Sequence, residues 1–150
     1  MQLTGRYAFT VPVPRMWDAL TDKNFLIKVI PGCKQMTEVE PDHFKLDIEM
    51  GIAGIKGKYT GTVKISEKKL HKSYRMTVEG SGKPGWVKAN GLIEFNEENG
   101  ATQVSYTGEF QAGGLIAGIG QRLLEGAAKL TVGQFFKAVE KQLLAAAEHA

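Results

Sequence analysis

Residues 113–147 read GGLIAGIGQRLLEGAAKLTVGQFFKAVEKQLLAAA. Apolar residues return at Ile116, Ile119, Leu123, Ala127 and Leu130, then at Val132, Phe136, Val139 and Leu143. Steps of three and four place them on one face of a helix. Arg122, Glu125, Lys129, Lys137, Glu140 and Lys141 fall mostly elsewhere and give that helix a wet side. At ~1.5 Å per residue the pattern predicts a rod of roughly 50 Å, well beyond the usual globular helix. Such a rod needs a broad surface to cover. Gly118, Gly120, Gly126 and Gly133 interrupt it, and each costs about 1 kcal/mol against Ala in a helix interior. Close backbone packing against a sheet is the plain reading of these glycines. Room for a ligand is the other. The Gly113–Gly120 cluster also admits a helix start delayed to Leu115 or Gln121, with a mobile entry loop before it.

The surface to be covered lies upstream. Leu3, Gly5, Tyr7 and Phe9 alternate with Thr4, Arg6 and Ala8 as a first strand. Val11-Pro12-Val13-Pro14 ends it, and Pro14 suits the first position of a short helix carrying Met16, Trp17 and Leu20. Thr21-Asp22 can cap a second helix over 23–29, and Pro31-Gly32 turns the chain. Period-two runs follow at 34–39, 44–50, 55–65, 74–78, 87–95 and 104–110. Turn signals separate them at 51–54, 66–69, 81–85 and 96–100. The expected architecture is α+β: a curved antiparallel seven-stranded sheet wrapped around a long C-terminal helix, with two short helices between strands one and two. Gly57, Gly61, Gly91 and Gly108 fall on the inward face, where they permit curvature and leave volume unfilled.

A chain of 150 residues is expected to form one domain, residues 1–150. Its net charge of +3 is weak and its lysines are interspersed with acids, so no basic stripe argues for nucleic acid. The single cysteine, Cys33, fits a reducing compartment. No signal-peptide core and no run of 18 apolar residues are present, so a cytoplasmic protein without a membrane span is expected. His43, His71 and His149 lack metal-ligand spacing, and no inward carboxylate pair suggests acid–base work. No metal and no cofactor is expected. GIAGIKG and GKPGW are hairpin turns rather than phosphate loops.

What remains is an apolar interior with a few polar tips, the pattern of a pocket for a lipophilic molecule. Its expected walls are Ile48, Met76, Val87 and Phe110 from the strands and Leu123 and Ala127 from the helix. Tyr59, Tyr74 and Tyr106 supply the polar tips. The entry is expected near Phe25, Leu26, Ile30, Ile116 and Ile119. No catalytic residue is assigned.

Several phrases together resemble a known family. They are Gly5 and Phe9 followed by Val13-Pro14 and Trp17 to Asp22; Ile30-Pro31-Gly32-Cys33; Ile55-Lys56-Gly57 and Gly61; Glu79-Gly80; Gly113 to Gly120; and Phe135-Phe136. In these the chain is similar to the CoxG family, the G subunit of carbon monoxide dehydrogenase, within the START-like, or SRPBCC, superfamily. The resemblance implies the helix-grip fold of the birch pollen allergens, with a deep cavity between sheet and helix. It implies a non-catalytic role beside a molybdenum hydroxylase of the carbon monoxide dehydrogenase type, in its maturation or recruitment to the membrane, with a quinone or lipid as cargo. It also implies peripheral contact with the inner face of the membrane. Two alternatives stand beside it. One is a protein–protein adaptor working through Gly113–Gly120. The other is a cyclase- or aromatase-like enzyme in which Tyr59 or Tyr106 donates a proton.

Overall fold

The computed structural model describes residues 1–52 and 54–148, the side chains of 52 and 146–148 apart. His149 lies outside the described residues. Strand β1 (Gln2–Phe9) leads to helices α1 (Val13–Leu20) and α2 (Lys23–Val29). Six strands follow: β2 (Cys33–Glu40), β3 (His43–Ile52), β4 (Ile55–Lys69), β5 (Ser73–Gly82), β6 (Gly85–Glu98) and β7 (Ala101–Gly113). A 3-10 turn (Gly114–Ile119) then precedes helix α3 (Gln121–Glu148).

The sheet is a meander closed by its first strand, in the order β1-β7-β6-β5-β4-β3-β2, with every pairing antiparallel. Because β1 and β2 occupy opposite edges, α1 and α2 must span the sheet from edge to edge. Local chemistry sets the ends of the short helices. Pro14 sits in the first turn of α1, which begins one residue earlier at Val13. Asp22 caps α2 by accepting a hydrogen bond from the Asn24 amide at 3.1 Å. The strands outrun their turn signals. β4 continues to Lys69 and β5 to Gly82, so the hairpin loops are 70–72 and 83–84.

Two glycine pairs face each other across the sheet, Gly61 with Gly80 and Gly91 with Gly108. A Cβ at Gly108 would stand 2.7 Å from the Asn90 carbonyl oxygen, and one at Gly61 would collide with the Glu79 carbonyl. The strands coil too tightly there for side chains, which is how the sheet curves.

The C-terminal segment corrects two expectations, the phase of the helix and the role of its glycines. The helix begins at Gln121, the later of the starts the sequence admits. Gly120, at φ 98°, breaks the chain between the 3-10 turn and α3. That break resets the helical phase, so the buried face carries Leu124, Ala128, Val132, Phe135, Phe136, Val139 and Leu143. Leu123 and Leu130 point to solvent, 60% and 65% exposed. The second correction concerns the glycines. A Cβ at Gly118, Gly120 or Gly126 would meet nothing within 4 Å, and one at Gly133 would meet only the Tyr7 hydroxyl at 3.7 Å. Close packing against the sheet is therefore not their role.

The interior is split. One cluster joins α1, α2, the ends of the middle strands and the C-terminal half of α3, through residues such as Trp17, Leu26, Phe44, Phe95 and Phe136. A smaller one gathers Tyr59, Phe110, Ile116 and Leu124 beneath the 3-10 turn and the first turns of α3.

Candidate functional site: an apolar cavity

Between these clusters lies a cavity of about 260 Å³. Its floor is the inner face of β3 to β7, including Leu46, Ile48, Val63, Met76, Val78, Ala89, Ile93 and the Gly91–Gly108 pair. Its roof is α3, through Thr131, Val132, Phe135 and Phe136, and Leu20, Ile30 and Pro31 close one side. The Gly91–Gly108 pair contributes no side chain to this floor and so leaves room above it. One wall is aromatic. Phe136 stacks on Tyr7 at 4.2 Å between ring centroids and on Tyr106 at 5.8 Å, and both Phe136 and Tyr106 border the cavity.

The polar groups are few. Tyr74 is fully buried, and its hydroxyl donates to the Leu20 carbonyl at 3.1 Å. Burial pushes its pKa far above the ordinary phenol value. Tyr106 is raised too, first by desolvation and then by Tyr7 beside it. Thr131 donates back to the Ala127 carbonyl at 2.8 Å and so is already satisfied. Asn90, Thr107 and Glu109 border the cavity beside the glycine pair, but all three are exposed. They alternate with the inward residues, so their side chains point to the outer face. No Lys, Arg or His stands among the described lining residues.

Of the residues expected at the site, Ile30, Ile48, Tyr74, Met76, Tyr106 and Phe110 come together on the cavity wall. The others do not line it. Leu26 is fully buried in the larger cluster, with Phe25 packed against it. Tyr59, Ile116, Ile119 and Val87 belong to the smaller cluster. Ala127 is half-buried beside the roof. Leu123 faces water, for the reason of phase given above. Ile116 pins the 3-10 turn: its amide donates to the Pro84 carbonyl at 2.9 Å and its side chain is wholly buried. The wall residues not foreseen as such include Leu3, Leu20, Pro31, Leu46, Val63, Val78, Ala89, Ile93, Thr131, Val132, Phe135 and Phe136.

A second depression, of about 450 Å³, lies on the outer face of the sheet among His43, Lys45, Thr60, Thr62, Glu79, Trp86 and Lys88. Lys45 and Lys88 border it, where the inner cavity has no cation among its described lining residues. Among the described residues, no group of three or more His, Cys, Asp or Glu is placed to hold a metal, and no helix is long and apolar enough to cross a membrane.

The profile of the family described as the G subunit of carbon monoxide dehydrogenase (CoxG) matches residues 5–144. The chain belongs to the CoxG family. Among solved structures, this CoxG chain is similar to a conserved protein from Geobacillus kaustophilus, at 36% identity, 96% coverage of this chain and 95% of that one, with a TM-score of 0.92. More distant structures share the fold alone. A START superfamily protein from Mycobacterium smegmatis is 11% identical, with 94% and 95% of the two chains covered and a TM-score of 0.71. The Zhui aromatase/cyclase from Streptomyces sp. R1128 is 12% identical, with 95% and 92% covered and a TM-score of 0.71. The START-like, helix-grip architecture of the CoxG chain is thereby placed. No curated protein matches the sequence.

Proposed function

We propose that this chain is a non-catalytic carrier of one lipophilic small molecule, a quinone or lipid, held between sheet and helix. It serves as an accessory to a molybdenum hydroxylase of the carbon monoxide dehydrogenase type, in its maturation or recruitment to the membrane. It works in the cytoplasm, with peripheral contact at the inner face of the membrane. The observation that carries the reading is the split interior: the walls are almost wholly apolar, and the Tyr106 and Phe136 rings border the gap. Membership of the CoxG family supports the choice of partner. Burying ~300 Å² of apolar ligand surface at about 25 cal/mol per Å² is worth roughly 7.5 kcal/mol before association costs, so micromolar affinity requires a preformed site.

The test is native mass spectrometry of protein purified without detergent, followed by extraction under denaturing conditions. A defined extra mass that proves to be a quinone or lipid supports the carrier reading. A bare chain that stays bare after incubation with quinones overturns it.

A specific observation favours a second reading. Leu115 on the 3-10 turn is 67% exposed, with exposed Leu123 just beyond it. In this reading the turn docks a partner protein and the cavity is incidental. Capture of the partner enzyme that needs the 3-10 turn, yet is indifferent to quinone, would favour it over the carrier.

A further inference from the structure

Tyr59 is the one buried side chain among the described residues whose polar atom has no hydrogen-bond partner. It is 6% exposed, in the smaller cluster with Phe110, Ile116 and Leu124. Its ring lies against the strand backbone, within van der Waals reach of Gly57 and Gly82. A hydroxyl taken from water and left unpaired costs about 1–3 kcal/mol. Phe at this position would fill the same space without that cost, so packing alone does not account for the oxygen. The group lies next to the cavity, since Ile48, Ala89 and Phe110 belong both to the cavity wall and to the cluster around Tyr59. Burial raises its pKa, so at neutral pH it is a protonated donor.

We propose that Tyr59 is the polar anchor of the cavity's ligand: its hydroxyl donates a hydrogen bond to a carbonyl-type oxygen on a neutral, otherwise apolar molecule that reaches past Phe110. This rests on the carrier reading and narrows its cargo. The ligand is neutral because the described wall offers no cation to a carboxylate, and a charge buried there would stay unpaired. The partner atom is a carbonyl rather than a hydroxyl because a carbonyl brings no proton of its own. An alcohol would satisfy Tyr59 and leave its own donor buried without an acceptor. Planar conjugated ketones suit both ends of the site, with the ring system against Tyr106 and Phe136 and the oxygen at Tyr59.

Fluorenone and fluorene are a matched pair of probes, nearly identical in shape and differing by one carbonyl. Their dissociation constants are measured by calorimetry for the wild-type chain and for Tyr59→Phe. The expected result is that Tyr59→Phe weakens fluorenone about tenfold, the worth of one hydrogen bond, and leaves fluorene unchanged or slightly tighter. Equal effects on both probes, or none on either, overturn the anchor while the carrier reading stands. If the wild-type chain binds neither probe, the carrier reading falls and the anchor falls with it. A second readout needs no variant. The infrared carbonyl stretch of bound fluorenone should move to the lower frequency of a hydrogen-bonded ketone, and a stretch matching that in dry hydrocarbon overturns the anchor.

Discussion

The hydroxyl of Tyr74, on the middle strand of the sheet, reaches the main-chain carbonyl of Leu20 at the end of α1. This 3.1 Å bond is wholly buried and joins residues 54 apart in sequence. Both Tyr74 and Leu20 border the cavity, so the bond also fixes the corner where the short helices meet the sheet. Tyr74→Phe would leave the Leu20 carbonyl without this partner in an apolar setting. Urea unfolding is expected to show a loss of about 1–3 kcal/mol. A loss below a few tenths of a kcal/mol would mean that the corner holds without it.

The same tyrosine sets a pH dependence. Its folded pKa lies above the ordinary phenol value because burial disfavours the phenolate. The neutral form is thus stabilised by folding, and the folded state binds more protons than the unfolded chain once the pH passes about 10. The contribution is complete below that pH and is lost as the pH rises toward the folded pKa. Stability should fall steeply above about pH 10, and Tyr74→Phe should flatten the fall. Tyr59 and Tyr106 are shifted in the same direction, so a residual slope should persist in the variant.

Two glycine substitutions should move stability in opposite directions. Gly126 lies within α3 with open space where a Cβ would be. Gly126→Ala should therefore stabilise by roughly 0.5–1 kcal/mol, from helix propensity alone. Gly108→Ala would press a methyl group against the Asn90 carbonyl and the Gly91 backbone, and should destabilise by about 1–3 kcal/mol. Thermal melting of the two variants checks both signs at once. A destabilised Gly126→Ala would point to a contact on the outer side of α3.

Filling the cavity should separate uptake from folding. Val78 sits mid-strand in β5, opposite Val63 and Ala89, and faces the cavity. Val78→Phe adds bulk into existing space rather than into packed core. The variant should keep its melting temperature within a few degrees, while binding of fluorenone weakens at least tenfold. Undiminished binding would move the ligand away from this cavity.

Ligand charge gives a further check. With no cation among the described lining residues to pair a buried carboxylate, methyl laurate should bind more tightly than laurate at pH 7, by roughly tenfold or more. Equal affinities would place the acyl head in water, outside the cavity.

The sheet is readable in the sequence because alternation survives in every strand, and one face of each run from Phe44 to Phe110 is apolar. Turn residues mark the hairpins to within a few positions, although β4 and β5 run further because pairing holds them together beyond the turn signals. The phase of the last helix is not readable. Leu123 and Leu124 are both apolar, and only the backbone break at Gly120 decides which of them turns inward. The cavity itself is half legible. Ile48, Met76 and Phe110 alternate inward in the same way as Leu46 and Val63, and periodicity does not separate a residue that faces a gap from one that faces a neighbour. Pairing decides that. The absence of side chains at Gly91 and Gly108 matters because the two fall opposite each other, a fact of register.

The strand order also bears on how the chain is made. β1 pairs with β7, where Gln2 meets Glu109 and Phe9 meets Thr102. During synthesis the first strand leaves the ribosome with its apolar face bare and its partner about a hundred residues away. At the usual ~5–20 residues per second that wait lasts many seconds. Strands β2 to β6 can pair in sequence meanwhile, each with a neighbour already present. The molecule should thus pass through an open intermediate whose hydrophobic interior is uncovered until β7 and α3 arrive. In the cell this is the stage at which chaperones, or the cargo itself, would find the interior most accessible.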